Sequence, residues 1–193
     1  MEKGVEAGSD GKPRCGWCLG SADYLTYHDT EWGRPLHGER ELFERLTLEA
    51  FQSGLSWLTI LRKRENFRRA FDDFDVERVA EYGEAEIARL LSDAGIVRNR
   101  NKIEAAITNA KAAREMHAAG ETLDELIWSF APDPDSRPAP KTLAELEPTT
   151  PESKALAKQL KRRGFVFVGP TTVYATMEAI GAVNDHLDGC AFR

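Results

Sequence analysis

The chain has 193 residues, of which 41% are hydrophobic and 30% charged, and its formal net charge is −6. That length suits one domain or two closely packed lobes, with a core large enough to need no disulfide staples. No apolar run approaches the roughly 20 residues of a membrane helix. The opening MEKGVEAGSDGKPR lacks the apolar stretch of a secretory signal, so the expectation is a cytoplasmic protein with no membrane partner.

The acidic balance argues mildly against nucleic acid, but its distribution argues back. Arg62, Lys63, Arg64, Arg68 and Arg69 form one basic cluster, and Arg98, Arg100 and Lys102 a second. Lys154, Lys158, Lys161, Arg162 and Arg163 form a third. Phosphate responds to the local field, so an acidic protein can carry a basic face. Most charge runs are nevertheless solvated helix faces.

In chain order, residues 1–13 are polar and aperiodic and read as a disordered leader, ahead of a single domain over residues 14–193. The stretch from Trp17 to Gly33 reads as loop with short helical turns. From Glu39 the pattern is helical: Leu42, Phe43, Leu46, Ala50 and Phe51 recur at spacings of three and four. Ser56 is an N-cap for a helix carrying Trp57, Ile60, Leu61, Phe67 and Phe71. Asp75 caps a short helix reaching Tyr82, and Ile87, Leu90 and Leu91 mark another that Gly95 ends. Ile103, Ile107 and Ala110 begin a longer helix stopped by Gly120. Thr122 and Glu125 form a capping box for the next.

Five prolines make residues 131–150 mostly loop. Thr150 then caps a helix with Pro151 at its first position, where a missing N–H costs nothing. Gly164 ends it, and Gly169-Pro170 starts another, so residues 151–181 read as helix, short hairpin, helix. Such a hairpin can aim free amides at a DNA phosphate through Gly164, Gly169 and Thr171. The alternative is a packing motif with Phe165 and Phe167 in the core. No repeat and no sustained strand alternation occurs, and the fold class is all-α.

Two constellations carry chemistry. Cys15 and His28 lie near one end of the chain, and His186-Leu-Asp-Gly-Cys190 near the other. His-x3-Cys has the ligand spacing of a structural zinc site, and two ligands from each end would clip the termini together. Spacing alone leaves free thiols and ordinary histidines open. Cys15-Gly-Trp-Cys18 as a redox pair needs a βαβ context that the sequence does not offer. The second constellation is the aromatic-rich stretch holding Trp17, Tyr24, Tyr27 and Trp32, with Glu49 and Trp57 beyond it. Aromatics outside a regular apolar stripe can line a pocket for a flat ligand. Glu49 stands between Leu48 and Ala50, and is either solvent-facing or buried for a purpose.

Ordered motifs give these residues a family context. Arg14-Cys-Gly-Trp17, Tyr27-His-Asp-Thr-Glu-Trp-Gly33, Ser53-Gly-Leu-Ser-Trp57, Lys63-Arg-Glu-Asn66, Asp93-Ala-Gly-Ile96, Arg162-Arg-Gly-Phe-Val-Phe-Val-Gly169 and Val183-Asn-Asp-His186 resemble DNA-3-methyladenine glycosylase type I, the Tag family. The resemblance runs from about Arg14 to Cys190. It implies a bilobal helix-hairpin-helix fold and a structural Zn2+ held by Cys15, His28, His186 and Cys190. It implies hydrolysis of the N-glycosidic bond of 3-methyladenine by base flipping, in double-stranded DNA carrying alkylated bases. No lysine suggests a Schiff base, so the strand is expected to stay uncut, and a monomer is expected. Glu49 and Tyr27 match base-contacting residues, Trp57 a stacking residue, and Trp17, Tyr24 and Trp32 the surrounding aromatics. Glu49 is then the one catalytic candidate, as an electrostatic stabiliser. Asp185, the downstream acid, falls inside the zinc segment, so the resemblance supplies no general base. Cys18 is an extra thiol outside the motif. A damage-binding module without activity and a thiol-based sensor are the competing readings.

Overall fold

The computed structural model describes residues 4–193. Among them the architecture is helical, apart from one small ribbon. That ribbon corrects the expected disordered leader. Strands β1 (Val5–Ala7) and β2 (Pro13–Cys15) pair antiparallel, with Val5 opposite Cys15. Three-residue strands are too short to show an alternation. Tertiary contact holds them, since Ala191 N donates to Pro13 O at 2.9 Å from the far end of the chain. Residues 1–3, the start of the expected leader, lie outside the described residues.

A 3₁₀ turn (Gly16–Gly20) leads to α1 (Ala22–Thr30), a full helix where loop was expected. Its cause is local: the Ser21 hydroxyl accepts from Tyr24 N at 3.2 Å and caps the first turn. Helix α2 (Glu39–Gln52) is buried along most of its length, and α3 (Trp57–Ala70) starts at the expected Ser56 cap. Asp75 caps α4 (Val76–Ala80) as expected. Helix α5 (Glu84–Ser92) stops at Asp93, ahead of the expected Gly95. The Asp93 carboxylate turns the chain by accepting from Gly95 N at 2.7 Å. Helices α6 (Arg100–Ala118) and α7 (Leu123–Trp128) follow the caps at Asn99 and Thr122.

Thr150 and Pro151 open α8 (Pro151–Arg162) as the sequence indicates, with Ser153 completing a capping box that it did not indicate, and Gly169 precedes α9 (Pro170–Ala179). Residues 163–169 form the hairpin between them. Gly164 sits at φ +92°, a left-handed conformation that ends α8 without strain only for glycine. The packing alternative is half right: Phe165 is buried, whereas Phe167 is 43% exposed. The main core gathers α2, α3, α6, α8 and α9 around Phe43, Phe51, Phe67, Phe71, Ile103 and Leu160.

The segment before α2 clamps the end of α9. Gly33 N donates to Glu178 O and Leu36 N to Ile180 O, each at 3.0 Å. Gly181, at φ +73°, lies so close that a Cβ there would stand 2.3 Å from the Arg34 carbonyl carbon. Gly181→Ala is expected to cost about 2–5 kcal/mol, from left-handed strain plus a clash with backbone. Gly169→Ala, with open space around its Cβ, should stay within about 1 kcal/mol. Thermal denaturation of the two variants checks the contrast; equal losses would overturn it.

Candidate active site

The six residues singled out for a flat ligand converge on one cavity of about 190 Å³. Trp17, Tyr24, Tyr27, Trp32, Glu49 and Trp57 line it, joined by Gln52, Ala175 and Glu178. Trp17 meets Tyr24 and Trp32 edge-to-face, at centroid distances of 5.5 and 5.1 Å. Tyr27 and Trp57 tilt at 48° to one another, 5.4 Å apart. The Tyr24 hydroxyl accepts from Leu58 N at 3.0 Å and so ties α1 to the first turn of α3. Such edge-to-face packing fixes the rings as a rigid wall.

Glu49 is the exceptional member. It is only 6% exposed, and among the described residues no hydrogen bond satisfies its carboxylate. Burial pushes the carboxyl up to about 7, while the positive charge of Arg45 pulls the other way. Burial also raises Tyr27, and it holds Glu178 well above the ordinary carboxylate range, with Asp185 and Glu49 adding like-charge repulsion. Burial thus favours the neutral form of each. The cavity therefore has aromatic faces and one poised acid, a setting complementary to a flat cation.

Sequence reasoning missed Arg45, Gln52 and Glu178. Arg45 had a signal: it stands one helical turn before Glu49 on α2, on the same face. Glu178 had none, because a polar residue at its position on α9 looks like any solvated helix position. Asp185 does not line the aromatic cavity, although it contacts Glu178, which does. It accepts from Arg137 Nη2 at 3.1 Å and from the Tyr174 hydroxyl, and these three groups line a separate cavity.

A groove leads off the aromatic cavity and shares Glu49, Gln52 and Ala175 with it. Its other walls are Ser53, Gly54 and Leu55 on one side and Thr171 and Thr172 on the other. The hairpin residues divide here. The Gly164 amide is committed to Lys161 O at 3.1 Å, so it has no N–H to give a phosphate. Gly169 and Thr171 stand at the α9 N-terminus. Pro170 lacks an N–H and Val173 N bonds Gly169 O; Thr171 and Thr172, in the first turn of α9 where amides have no intrahelical partner, both line the groove.

The basic clusters divide too. In the first, Arg62 pairs with Asp23, Arg64 with Glu31 and Arg68 with Glu44, while Lys63 bonds the carbonyls of Ala94 and Gly95. Those cations are spent within the fold. In the third, Arg163 pairs with Glu121. Lys154, Lys158, Lys161 and Arg162 lie exposed on α8, with no ion pair among the described residues.

Cys15, His28 and Cys190 are buried, with ligand atoms all within 4.8 Å of one another, and could hold a metal ion. Cys190 Sγ lies 3.6 Å from His28 Nε2, and Leu187 N donates to Cys15 Sγ at 3.3 Å. His28 Nδ1 meets Asp29 Oδ1 at 2.8 Å, and Arg14 grips the same carboxylate. That outer shell turns Nε2 toward the thiols. His186 lies beside this trio, its ring centroid 4.6 Å from that of His28 and its Nδ1 3.0 Å from Asn184 Oδ1. Burial lowers His186 to about 4, which keeps the imidazole neutral, as a metal ligand must be. Cys18 is buried but outside the cluster. Two buried thiols and one oriented imidazole are donors of the kind zinc prefers, while the His186 ring stands outside the three, its Nε2 3.4 Å from His28 O.

Fold and site together define a protein with a helix-hairpin-helix unit beside a cavity lined by aromatic rings and a buried carboxyl. Comparison with known proteins narrows this class. The family model for methyladenine glycosylase matches residues 17–193. DNA-3-methyladenine glycosylase 1 of Escherichia coli (strain K12) is 47% identical over 177 residues, covering 92% of this chain and 95% of that protein. The crystal structure of a 3-methyladenine DNA glycosylase I is 46% identical, with a TM-score of 0.87, over 92% of this chain and 98% of that one. A Staphylococcus aureus 3-methyladenine DNA glycosylase I, solved to show the structural basis of 3-methyladenine recognition, is 35% identical, with a TM-score of 0.85, over 92% and 95% of the two chains. The chain belongs to the methyladenine glycosylase family.

Proposed function

We propose that this protein is a monofunctional DNA glycosylase that removes 3-methyladenine from alkylated double-stranded DNA, as a cytoplasmic monomer. The observation that carries the reading is Glu49, a buried carboxylate with no hydrogen-bond partner among the described residues, on a cavity lined by five aromatic residues. Its relatives' activity on 3-methyladenine points the same way. Among the described residues no helix is long and apolar enough to cross a membrane.

The chemistry follows from charge. Methylation at N3 makes the adenine ring cationic. A flipped cationic base enters the cavity, where Trp57 stacks on it and Tyr27 and Glu49 meet its edge. Phosphates flanking the flipped nucleotide contact Gly169, the Thr171 amide and the adjacent lysines of α8. As the N9–C1′ bond breaks, its electron pair returns to the ring and neutralises it. Water adds to C1′ and releases its proton to solvent, leaving an abasic sugar and neutral 3-methyladenine. The leaving group is already activated, so no general base is assigned. The aromatic wall excludes water from the base, and the Glu49 charge is felt strongly in the resulting low dielectric.

Cys15, His28, His186 and Cys190 would together hold a structural Zn2+. When bound, the ion supplies a cross-link between the chain's two ends and no chemistry at the base. Cys190→Ser and His28→Ala should each lower zinc stoichiometry and the thermal midpoint. Elemental analysis of purified protein decides, and zinc content equal to the parent's would refute the ligand set.

Incubation with alkylated DNA, followed by chromatography of the released bases, should show free 3-methyladenine. Glu49→Gln should cut the release on the order of 10²-fold. No release by folded, zinc-loaded parent protein would overturn the function. Parent activity should also fall as pH drops through about 7, because protonation removes the Glu49 charge.

Stability gives an independent readout. The Glu49 carboxyl is raised in the folded state, so its ionisation opposes folding; stability is lost as pH climbs from the unfolded value toward 7. Glu49→Gln should therefore match the parent near pH 4 and melt above it at pH 8. A parent more stable than the variant at pH 8 would contradict this.

A further inference from the structure

Arg45 lies behind the aromatic wall and has no role in the chemistry above. Its side chain is 7% exposed, and its guanidinium carbon stands 5.5 Å from the centroid of Tyr27 and 5.7 Å from that of Trp57. Nη2 donates to Glu31 Oε2 at 3.2 Å, whereas Nη1 is buried without a partner. Glu31 is already engaged, since it accepts two bonds from Arg64, at 2.5 and 2.9 Å. One carboxylate is thus divided between two guanidiniums, and one positive charge remains unbalanced in a low-dielectric region. Such a charge is costly unless an anion answers it. Glu49 lies one helical turn further along α2.

We propose that Arg45 is a positioning residue that holds Glu49 as a carboxylate before the cationic base arrives. The proposal rests on the base-pocket reading above. Burial alone drives the Glu49 carboxyl toward neutrality, and Arg45 is the charge that opposes it. The other groups facing Glu49 do not help. Tyr27 on α1 and Glu178 on α9 supply no positive charge, and burial pushes both toward their neutral forms; Glu31 and Arg64 stand beyond Arg45. A protonated Glu49 would have to lose its proton on base binding, so the pocket would lose affinity at neutral pH. Arg45 lowers the cost of that step: with it in place the carboxyl sits at about 7, so at neutral pH part of the population is charged in advance.

The test reads Glu49 directly, in DNA-free protein. Glutamate carboxyl carbons are labelled with 13C, the Glu49 resonance is assigned with Glu49→Gln, and its midpoint is measured by NMR titration. Arg45→Met should raise that midpoint by about one pH unit or more, as loss of a nearby opposite charge does. Arg45→Lys should restore most of it. Glu31→Gln, which leaves Arg45 without its counter-ion, should lower it. A folded Arg45→Met protein with an unchanged Glu49 midpoint overturns the proposal. Should Arg45→Met fail to fold, Glu31→Gln decides, and a midpoint unchanged or raised there overturns it equally. In base-release assays the acid limb of the pH profile should move with the NMR midpoint. Midpoints that shift as expected while the profile stays put support the Arg45 assignment and count against the base-pocket reading.

Discussion

A carboxylate buried among aromatic rings, with no hydrogen bond to hold it, is the constraint around which this structure is arranged. Glu49 can stay there only because α2 is rigid and packed over most of its length, and because an unbalanced guanidinium lies one turn away. The same aromatic wall that makes the charge costly also keeps water from weakening it. Cost and strength have one origin, the low local dielectric. The surrounding elements serve this arrangement: the 3₁₀ turn, α1, the turn that follows it and α3 bring the rings, and α9 adds Ala175 and Glu178 to the wall.

The cysteine–histidine cluster supports the same wall from behind. Tyr27 and His28 are consecutive residues on α1, so one side chain faces the cavity while the next faces Cys190. Arg14 and Asp29 fix the His28 ring, and the β1–β2 ribbon fixes Cys15. A residue that never meets the ligand can therefore set the pitch of the helix that does.

Much of this was legible in the sequence, and for physical reasons. Caps at Ser56, Asp75, Thr122 and Thr150 were readable because a side-chain acceptor beside a periodic apolar run has few other uses. The pocket aromatics stood out by falling outside such runs. Helix α1 was not readable, since the rings it carries point into a cavity and toward the cysteines and make no single apolar stripe. The ribbon was hidden because its partner is the other end of the chain. Glu178 and Arg45 acquire meaning only from neighbours brought in by the fold. Gly164 had a readable role as a helix stop, but its amide proved committed within the turn.

The hydrogen bond from Ala191 to Pro13 joins residues from opposite ends of the polypeptide, and the Cys15–His28–Cys190 cluster spans nearly the same interval. Contacts between residues so far apart along the chain must await closure of a very long loop. On the ribosome, Trp17, Tyr27, Glu49 and Trp57 emerge early, but Glu178 and Cys190 emerge only as translation ends. The pocket therefore cannot be complete until the last segments of the chain are available. A truncated or unfinished chain would own most of the aromatic residues and yet have no closed box to offer a damaged base.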